Sequence, residues 1–193
     1  MAAVTEAAAG RVGPKVVAAA IELTASEGWS AVTMSRLAEA VGVSRQTVYN
    51  EVGSKPALAA AMIGAELARF LAAVEDAFDA HPDSPVDAVR GAVRGVLELA
   101  EDNVLLHAIV SASHGAETDL LPLLTTHAEA LLNQAKAVVS ARMDAHSVPM
   151  SERERAVVID VLVRTVLSHV MQPSAGPADT ADDIAWMIGR LLV

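Results

Sequence analysis

Apolar residues recur at helical spacing along almost the whole chain, and this periodicity restricts the fold more than any other feature of the sequence. Val16, Ala20 and Leu23 show the pattern near the N-terminus, and Val158 and Leu162 repeat it near the C-terminus. No segment shows the alternation of apolar and polar residues that a half-buried strand requires. Aromatic residues make up only 3% of the 193 residues, which favours closely packed helices over an aromatic-rich sheet. The sequence therefore predicts an all-α fold.

Glycine, proline and hydroxyl residues divide this helical pattern into short segments first and longer segments later. Pro14 suits the first turn of a helix, and Gly28 suits the end of that helix. Thr33 and Ser44 are the types of residue that cap helix N-termini, and each precedes a short apolar-periodic segment. From Lys55 onward the helical segments lengthen.

The two short segments have the composition of a helix-turn-helix, in which a tight turn containing glycine joins two helices. Ala38 is small at the point where the second helix must cross the first. Gly42 permits the sharp turn, and Ser44 caps the second helix. Val43 and Val48 are apolar residues that can fill the space between the helices. The segment therefore predicts a DNA-binding motif, whose second helix enters the major groove.

The N-terminal turn of that second helix exposes side chains that suit nucleic-acid recognition. Arg45 can contact guanine through two hydrogen bonds, and Gln46 can do the same with adenine. Thr47, Tyr49 and Lys55 are suited to phosphates. The full set of predicted DNA-binding residues is Thr33, Arg36, Ser44, Arg45, Gln46, Thr47, Tyr49, Asn50 and Lys55.

The charge distribution permits a polyanion to approach only one part of the chain. The formal net charge is −10, which taken over a uniform chain argues against nucleic acid. Basic and acidic residues balance over residues 1–62, so the whole negative charge lies in the remainder. This asymmetry would orient DNA toward the N-terminal segment.

Residues 16–62 resemble the DNA-binding domain of tetracycline-repressor (TetR) family regulators. The resemblance rests on Gly28, Thr33, Leu37-Ala38, Gly42-Val43-Ser44, Thr47-Val48-Tyr49 and Gly53-Ser54-Lys55. Val52 departs from the family pattern, which usually has Phe at this position. We accordingly predict a flexible tail over residues 1–13, a three-helix helix-turn-helix domain over 14–54 and a larger helical effector-binding and dimerisation domain over 55–193.

The resemblance implies a homodimer that binds a palindromic double-stranded DNA operator. A dimer is also expected because one short recognition helix offers few contacts, and two-fold symmetry doubles them. In the family the last two long helices pair with their copies in a four-helix bundle, which here corresponds to about 150–171 and 178–193. The predicted interface residues are Val158, Leu162, Thr165, Val166, Ile184, Met187, Ile188 and Leu191.

The resemblance also implies an effector cavity among the middle helices. The candidate wall residues of those helices are almost all uncharged, so we predict a small lipophilic effector such as a fatty acid, an acyl thioester or an alkane. Three histidines are the polar residues placed to meet a head group, although each would equally suit the surface. The predicted effector-binding residues are Phe70, Val74, Phe78, Val93, Leu97, His107, Val110, His114, Leu124, His127 and Leu167.

Other classes of function have little support in the sequence. There is no cysteine, and we identify no catalytic residues, metal site or cofactor motif. No apolar run approaches the roughly 20 residues that span a bilayer, and no signal peptide is apparent, so we expect a cytoplasmic protein without membrane contact. The leading hypothesis is a repressor released from its operator by its effector. A DNA-binding regulator without an effector, an activator and, more distantly, a helical enzyme remain open.

Overall fold

The computed structural model describes the backbone of residues 2–107, 121–146, 148 and 150–192, and their side chains apart from those of residues 2–11 and 121–128. Across these ranges the chain is helical with short connections, and the described residues contain no strand. The all-α prediction is therefore confirmed. The helices are α1 (Ala2–Glu27), a 3-10 turn (Trp29–Ala31), α2 (Met34–Val41), α3 (Arg45–Val52), α4 (Lys55–Ala80), α5 (Pro85–Glu101), α6 (Leu121–Asp144), α7 (Glu152–Met171) and α8 (Pro177–Leu191). Residues 104–107 are also helical.

The first helix begins earlier than the sequence predicted. It starts at Ala2 and contains Pro14, whereas we expected Pro14 to open the helix after a tail over residues 1–13. Alanine has the highest helix propensity of any residue, and it dominates the segment before Pro14. Pro14 lacks an N–H and so removes one backbone hydrogen bond from the interior of the helix.

The chain divides into two compact units, Met1–Glu66 with Val104–His127, and Leu67–Asn103 with Ala128–Val193. Helix α4 contributes its N-terminal part to the first unit and its C-terminal part to the second. The predicted boundary between residues 54 and 55 therefore differs from the structural one. The reason is that Leu58 and Met62 of α4 are buried in the core of the first unit.

The core of the first unit holds the helix-turn-helix together. Val16 of α1, Leu37 of α2 and Val48 of α3 are fully buried and pack in one cluster. The turn between α2 and α3 depends on Gly42, whose φ of 76° lies in the left-handed region. The Gly42 N–H donates to the Ala38 carbonyl oxygen over 2.9 Å and so closes α2.

The second unit is a helical bundle in which α5 packs extensively on α8. Ala88 and Val89 of α5 share a buried cluster with Ile184 and Ile188 of α8. Helix α5 also lies close to α4, because a Cβ at Gly91 would be 3.3 Å from the Ala77 Cβ. Ion pairs connect further helices: Arg142 of α6 with Asp79 of α4, Lys136 of α6 with Asp160 of α7, and Arg90 of α5 with Asp182 of α8.

Among the described helices, α4 alone is long and apolar enough to cross a membrane, with a mean hydropathy of 1.7 over its most apolar window. Only 28% of that window is buried in the protein. A single helix of this kind is weak evidence for a membrane span, because helices of soluble proteins meet the same criteria. Much of its hydropathy comes from alanine, and Glu66 and Arg69 interrupt it.

Candidate nucleic-acid interface and ligand cavity

The position of α3 is fixed at its N-terminus by a side-chain cap and along its length by burial. The Ser44 Oγ accepts a hydrogen bond from the Thr47 N–H over 3.0 Å, as the sequence predicted for an N-cap residue. The Ser44 and Thr47 hydroxyl oxygens are also 2.9 Å apart. Val48 and Val52 face the core, so the opposite side of α3 is directed to solvent.

That solvent-exposed side consists of Arg45, Gln46, Tyr49 and Asn50, which we call the recognition face. Its members pair at a spacing of four residues. The Arg45 guanidinium lies 5.5 Å from the centre of the Tyr49 ring. The Gln46 Nε2 donates to the Asn50 Oδ1 over 3.0 Å. The structure thus brings four predicted DNA-binding side chains together on one surface in an ordered arrangement.

A groove of about 250 Å³ lies beside the recognition face and combines cationic and hydroxyl groups. Its polar lining comes from Thr33, Ser35, Arg45, Tyr49 and Lys55. Thr33 caps α2, with its Oγ1 accepting from the Arg36 N–H over 3.3 Å. Ser35 is the one polar lining residue that the sequence reasoning did not select.

Lys55 has a partner within the protein that the sequence did not reveal. Its ammonium donates to the Trp29 carbonyl oxygen over 2.9 Å and lies 4.6 Å from the centre of the indole ring. Trp29 is buried in the 3-10 turn that precedes α2. The N-terminus of α4 is therefore attached to that turn, and the role of Lys55 as a phosphate contact stays a prediction.

Arg36 is likewise engaged, although it is more exposed. Its guanidinium donates to both carboxylate oxygens of Glu27, over 2.5 and 2.8 Å. These hydrogen bonds lower the pKa of Glu27 and raise the pKa of Arg36. The pair connects the last residue of α1 to α2, so in the DNA-free protein Arg36 serves to connect helices.

The second unit contains a cavity of about 130 Å³, and all of its lining side chains among the described residues are apolar. Four helices contribute to its wall. The lining residues are Leu67, Phe70, Leu71, Val74 and Phe78 of α4, Val89, Ala92, Val93 and Val96 of α5, Ala135 and Val139 of α6, and Leu162, Val163, Val166, Leu167 and Val170 of α7.

The structure places the predicted effector-binding residues in three groups. Five line the cavity, namely Phe70, Val74, Phe78, Val93 and Leu167.

Two further residues are described but lie elsewhere. Leu97 is buried in the core of the second unit, and His107 is exposed in the first unit, so neither belongs to the cavity wall. The remaining predicted positions lie outside the described part of the chain, namely all of Val110 and His114 and the side chains of Leu124 and His127.

The structure divides the predicted dimer residues between the interior and the surface of the second unit. Leu162, Ile184 and Ile188 are buried within the second unit, and Val166 lines the cavity. These four side chains are occupied inside the chain, because their faces of α7 and α8 point to the core. Val158, Thr165 and Met187 are partly buried, and Leu191 is exposed. On α7 and α8, the exposed large apolar side chains outside the predicted dimer set are Val157, Val161, Leu167, Met171 and Trp186.

The described residues contain no group of three or more histidine and carboxylate side chains close enough to hold a metal ion.

Comparison with known proteins identifies both parts of the chain. Residues 16–62 match the family described as bacterial regulatory proteins, tetR family. Residues 85–190, more than half of the chain, match the bacterial tetracyclin repressor C-terminal domain. The chain belongs to the TetR family.

Individual TetR family proteins agree with this assignment. The HTH-type transcriptional regulator AlkX of Mycobacterium tuberculosis is 30% identical over 168 residues, which cover 86% of this chain and 78% of that protein. The structure of the TetR family repressor AlkX from Dietzia sp., implicated in biodegradation of n-alkanes, has a TM-score of 0.74 and 28% identity, covering 92% of this chain and 96% of that one. A TetR-family regulator from Mesorhizobium loti shares the fold at a TM-score of 0.66 and 15% identity, over 95% and 96% of the two chains.

Membership of the TetR family makes the protein a DNA-binding transcriptional regulator with a helix-turn-helix motif. TetR family regulators bind DNA operators and dimerise. The resemblance drawn from Gly42-Val43-Ser44 and its neighbours is thereby confirmed.

Proposed function

We propose that the protein is a transcriptional repressor that binds a palindromic operator in the cytoplasm as a homodimer and releases it when a small nonpolar molecule occupies the cavity of the second unit. The observation that carries this proposal is the cavity wall, in which every lining side chain that the structure describes is apolar. A wall of this kind gains free energy from burying hydrocarbon and offers no hydrogen bond to a polar ligand.

The wall favours a hydrocarbon over a fatty acid or an acyl thioester. An ionised carboxylate inside such a wall would lose its hydration without gaining a partner, at a cost of several kcal/mol. The cavity volume of about 130 Å³ is small. An engineered apolar cavity of roughly 150 Å³ holds benzene, so a longer chain must extend through the open side of the cavity or separate its walls. The implication of the Dietzia AlkX repressor in n-alkane biodegradation supports the same ligand class.

Helix α4 offers a route from the cavity to DNA. Leu67, Phe70 and Leu71 of α4 line the cavity, and the same helix begins at Lys55 beside the recognition face. We propose that the effector acts on DNA binding through this shared helix. A difference of about 1–3 kcal/mol in effector affinity between the two arrangements suffices for regulation.

We place the dimer interface on the exposed apolar side chains of α7 and α8. Val157, Val161 and Met171 of α7 are about half exposed, and Trp186 of α8 is 66% exposed. Both helices contribute to the same buried core, and exposed apolar patches mark interaction sites. This surface replaces the buried members of the predicted set while keeping the same two helices.

The test titrates the protein against the intergenic DNA upstream of its own gene, with n-octane or octanoate as the probe. We expect octane to weaken operator binding and octanoate to have little effect. A response to octanoate alone would refute the nonpolar effector. A response to neither would favour a regulator without an effector, and tighter DNA binding or activated transcription with octane would favour an activator.

A matched pair of variants tests the cavity itself. Ala92→Val adds two carbons to the lining, whereas Ala72→Val makes the same change at an exposed position of α4. A ligand that loses room for two carbons loses about 1.6 kcal/mol, or more than tenfold in affinity. We expect Ala92→Val to need that much more octane for release, with unchanged DNA binding in its absence. Equal responses of the two variants would place the effector elsewhere.

A further inference from the structure

The amide of Gln46 is held by a neighbour on the same helix. Its Nε2 donates to the Asn50 Oδ1 over 3.0 Å, and both side chains are exposed on the recognition face. We infer that Asn50 is a positioning residue that orients Gln46 for reading an adenine in the operator. This inference rests on the proposed role of α3 as the recognition helix.

The hydrogen-bond capacity of Gln46 fits this role. A glutamine amide has two N–H donors and an acceptor oxygen. One N–H is used by Asn50, so one N–H and the Oε1 remain available. Adenine presents one acceptor, N7, and one donor, the N6 amino group, in the major groove. The groups that Gln46 retains are therefore the groups that bidentate adenine recognition requires.

If the Gln46 amide is already oriented before DNA binds, the protein discriminates better between adenine and the other bases. A free glutamine side chain loses rotamer freedom when it binds, at a cost of up to roughly 2 kcal/mol. The hydrogen bond to Asn50 removes part of that cost in advance, as preorganisation does at other interfaces. Arg45 differs, because its partner is the ring of Tyr49 at 5.5 Å, a contact with less directional character.

The experiment measures the binding of four full-length variants to an operator and to a panel of single base-pair substitutions of it. The variants are Gln46→Ala, Asn50→Ala, Asn50→Asp and the double alanine variant. Gln46→Ala identifies the base pair that Gln46 reads, with an expected loss of discrimination of about 5- to 150-fold there. We expect Asn50→Ala to lose several-fold in discrimination at that same base pair. The double variant should lose no more than Gln46→Ala alone.

Asn50→Asp separates orientation from other effects. A carboxylate still accepts the Gln46 N–H, so the preference at this base pair should persist. The added negative charge should weaken binding to all sequences by a similar factor.

Three results would overturn the inference. Loss of discrimination at a different base pair would mean that Asn50 reads a base itself. A uniform loss across all sequences with an unchanged salt slope would make Asn50 a phosphate contact, because a neutral amide releases no counterion. Unchanged base preference in Asn50→Ala would mean that the hydrogen bond between Gln46 and Asn50 stabilises the helix and does not affect recognition. If the wild-type protein shows no base preference, the proposed function fails instead, which the wild-type titration alone reveals.

Discussion

Replacing Lys55 by methionine should destabilise the protein even when no DNA is present. In the structure its ammonium donates to the Trp29 carbonyl oxygen and lies over the indole ring. A hydrogen bond from a charged donor contributes about 1.5–3 kcal/mol, and an exposed cation–π contact about 0.5–1 kcal/mol. A residue that only contacts phosphate would contribute nothing in this state.

Three effects reduce that sum. Lys55 is only partly buried, so water screens its charge. The Trp29 carbonyl keeps a second hydrogen bond, from the Val32 N–H at 3.1 Å. The N-terminus of α4 disfavours a cation by about 0.3–1 kcal/mol. We therefore expect Lys55→Met to lower the free energy of unfolding of the first unit by about 1–2 kcal/mol.

The assay is urea unfolding followed by tryptophan fluorescence. The chain has two tryptophans, so Trp186→Phe leaves Trp29 as the reporter of the first unit. Lys15→Met is the control, because Lys15 is an exposed lysine of α1 in the same unit. If Lys55→Met and Lys15→Met unfold at the same urea concentration as the background protein, the attachment to Trp29 contributes no stability. The reasoning from the hydrogen bond would then be wrong.

Two further predictions concern the second unit. Hydrogen bonds from Lys136 and Arg164 lower the pKa of Asp160 in the folded protein. The ionised Asp160 therefore stabilises the fold fully above the pKa of the unfolded chain, which is near 4, and this stabilisation is lost as the pH falls through the lower pKa of the folded protein. Asp160→Asn should therefore lower the free energy of unfolding at pH 7 and make it depend less on pH below about 4, as measured by acid unfolding. An unchanged pH dependence below about 4 would contradict this prediction. Val157→Glu places a carboxylate in the proposed dimer interface and should raise the dimer dissociation constant by about a hundredfold or more, as measured by sedimentation. Ala68→Glu, at an exposed position of α4, should leave that constant unchanged. Equal dissociation constants for the two variants would exclude the proposed interface.

The helix-turn-helix could be predicted from the sequence because its signals are local. Thr33 and Ser44 cap their helices, and Gly42 adopts the left-handed conformation, as their residue types indicate. Each of these features depends on a few neighbouring residues. The start of α1 differs from the prediction because the helix propensity of the alanine-rich segment outweighs the hydrogen bond that Pro14 removes.

The sequence predicts less reliably which face of a helix is buried, because burial depends on the neighbouring helices. The apolar stripe of α7 is wide, and the sequence does not show which part faces the core, the cavity or solvent. Leu162 and Val157 are both apolar, yet one lines the cavity and the other is exposed. The partner of Lys55 lies 26 residues away in sequence, so no local pattern could indicate it.

The burial of Leu58 and Met62 in the first core has a practical consequence for exchanging parts between regulators. A chimera joined between residues 54 and 55 would bring a foreign α4 into contact with native α1. Leu105 belongs to the same core although it comes from a distant part of the chain. A chimera that combines the helix-turn-helix of this protein with the second unit of another regulator must therefore keep α4 through Met62 and supply an apolar residue in place of Leu105.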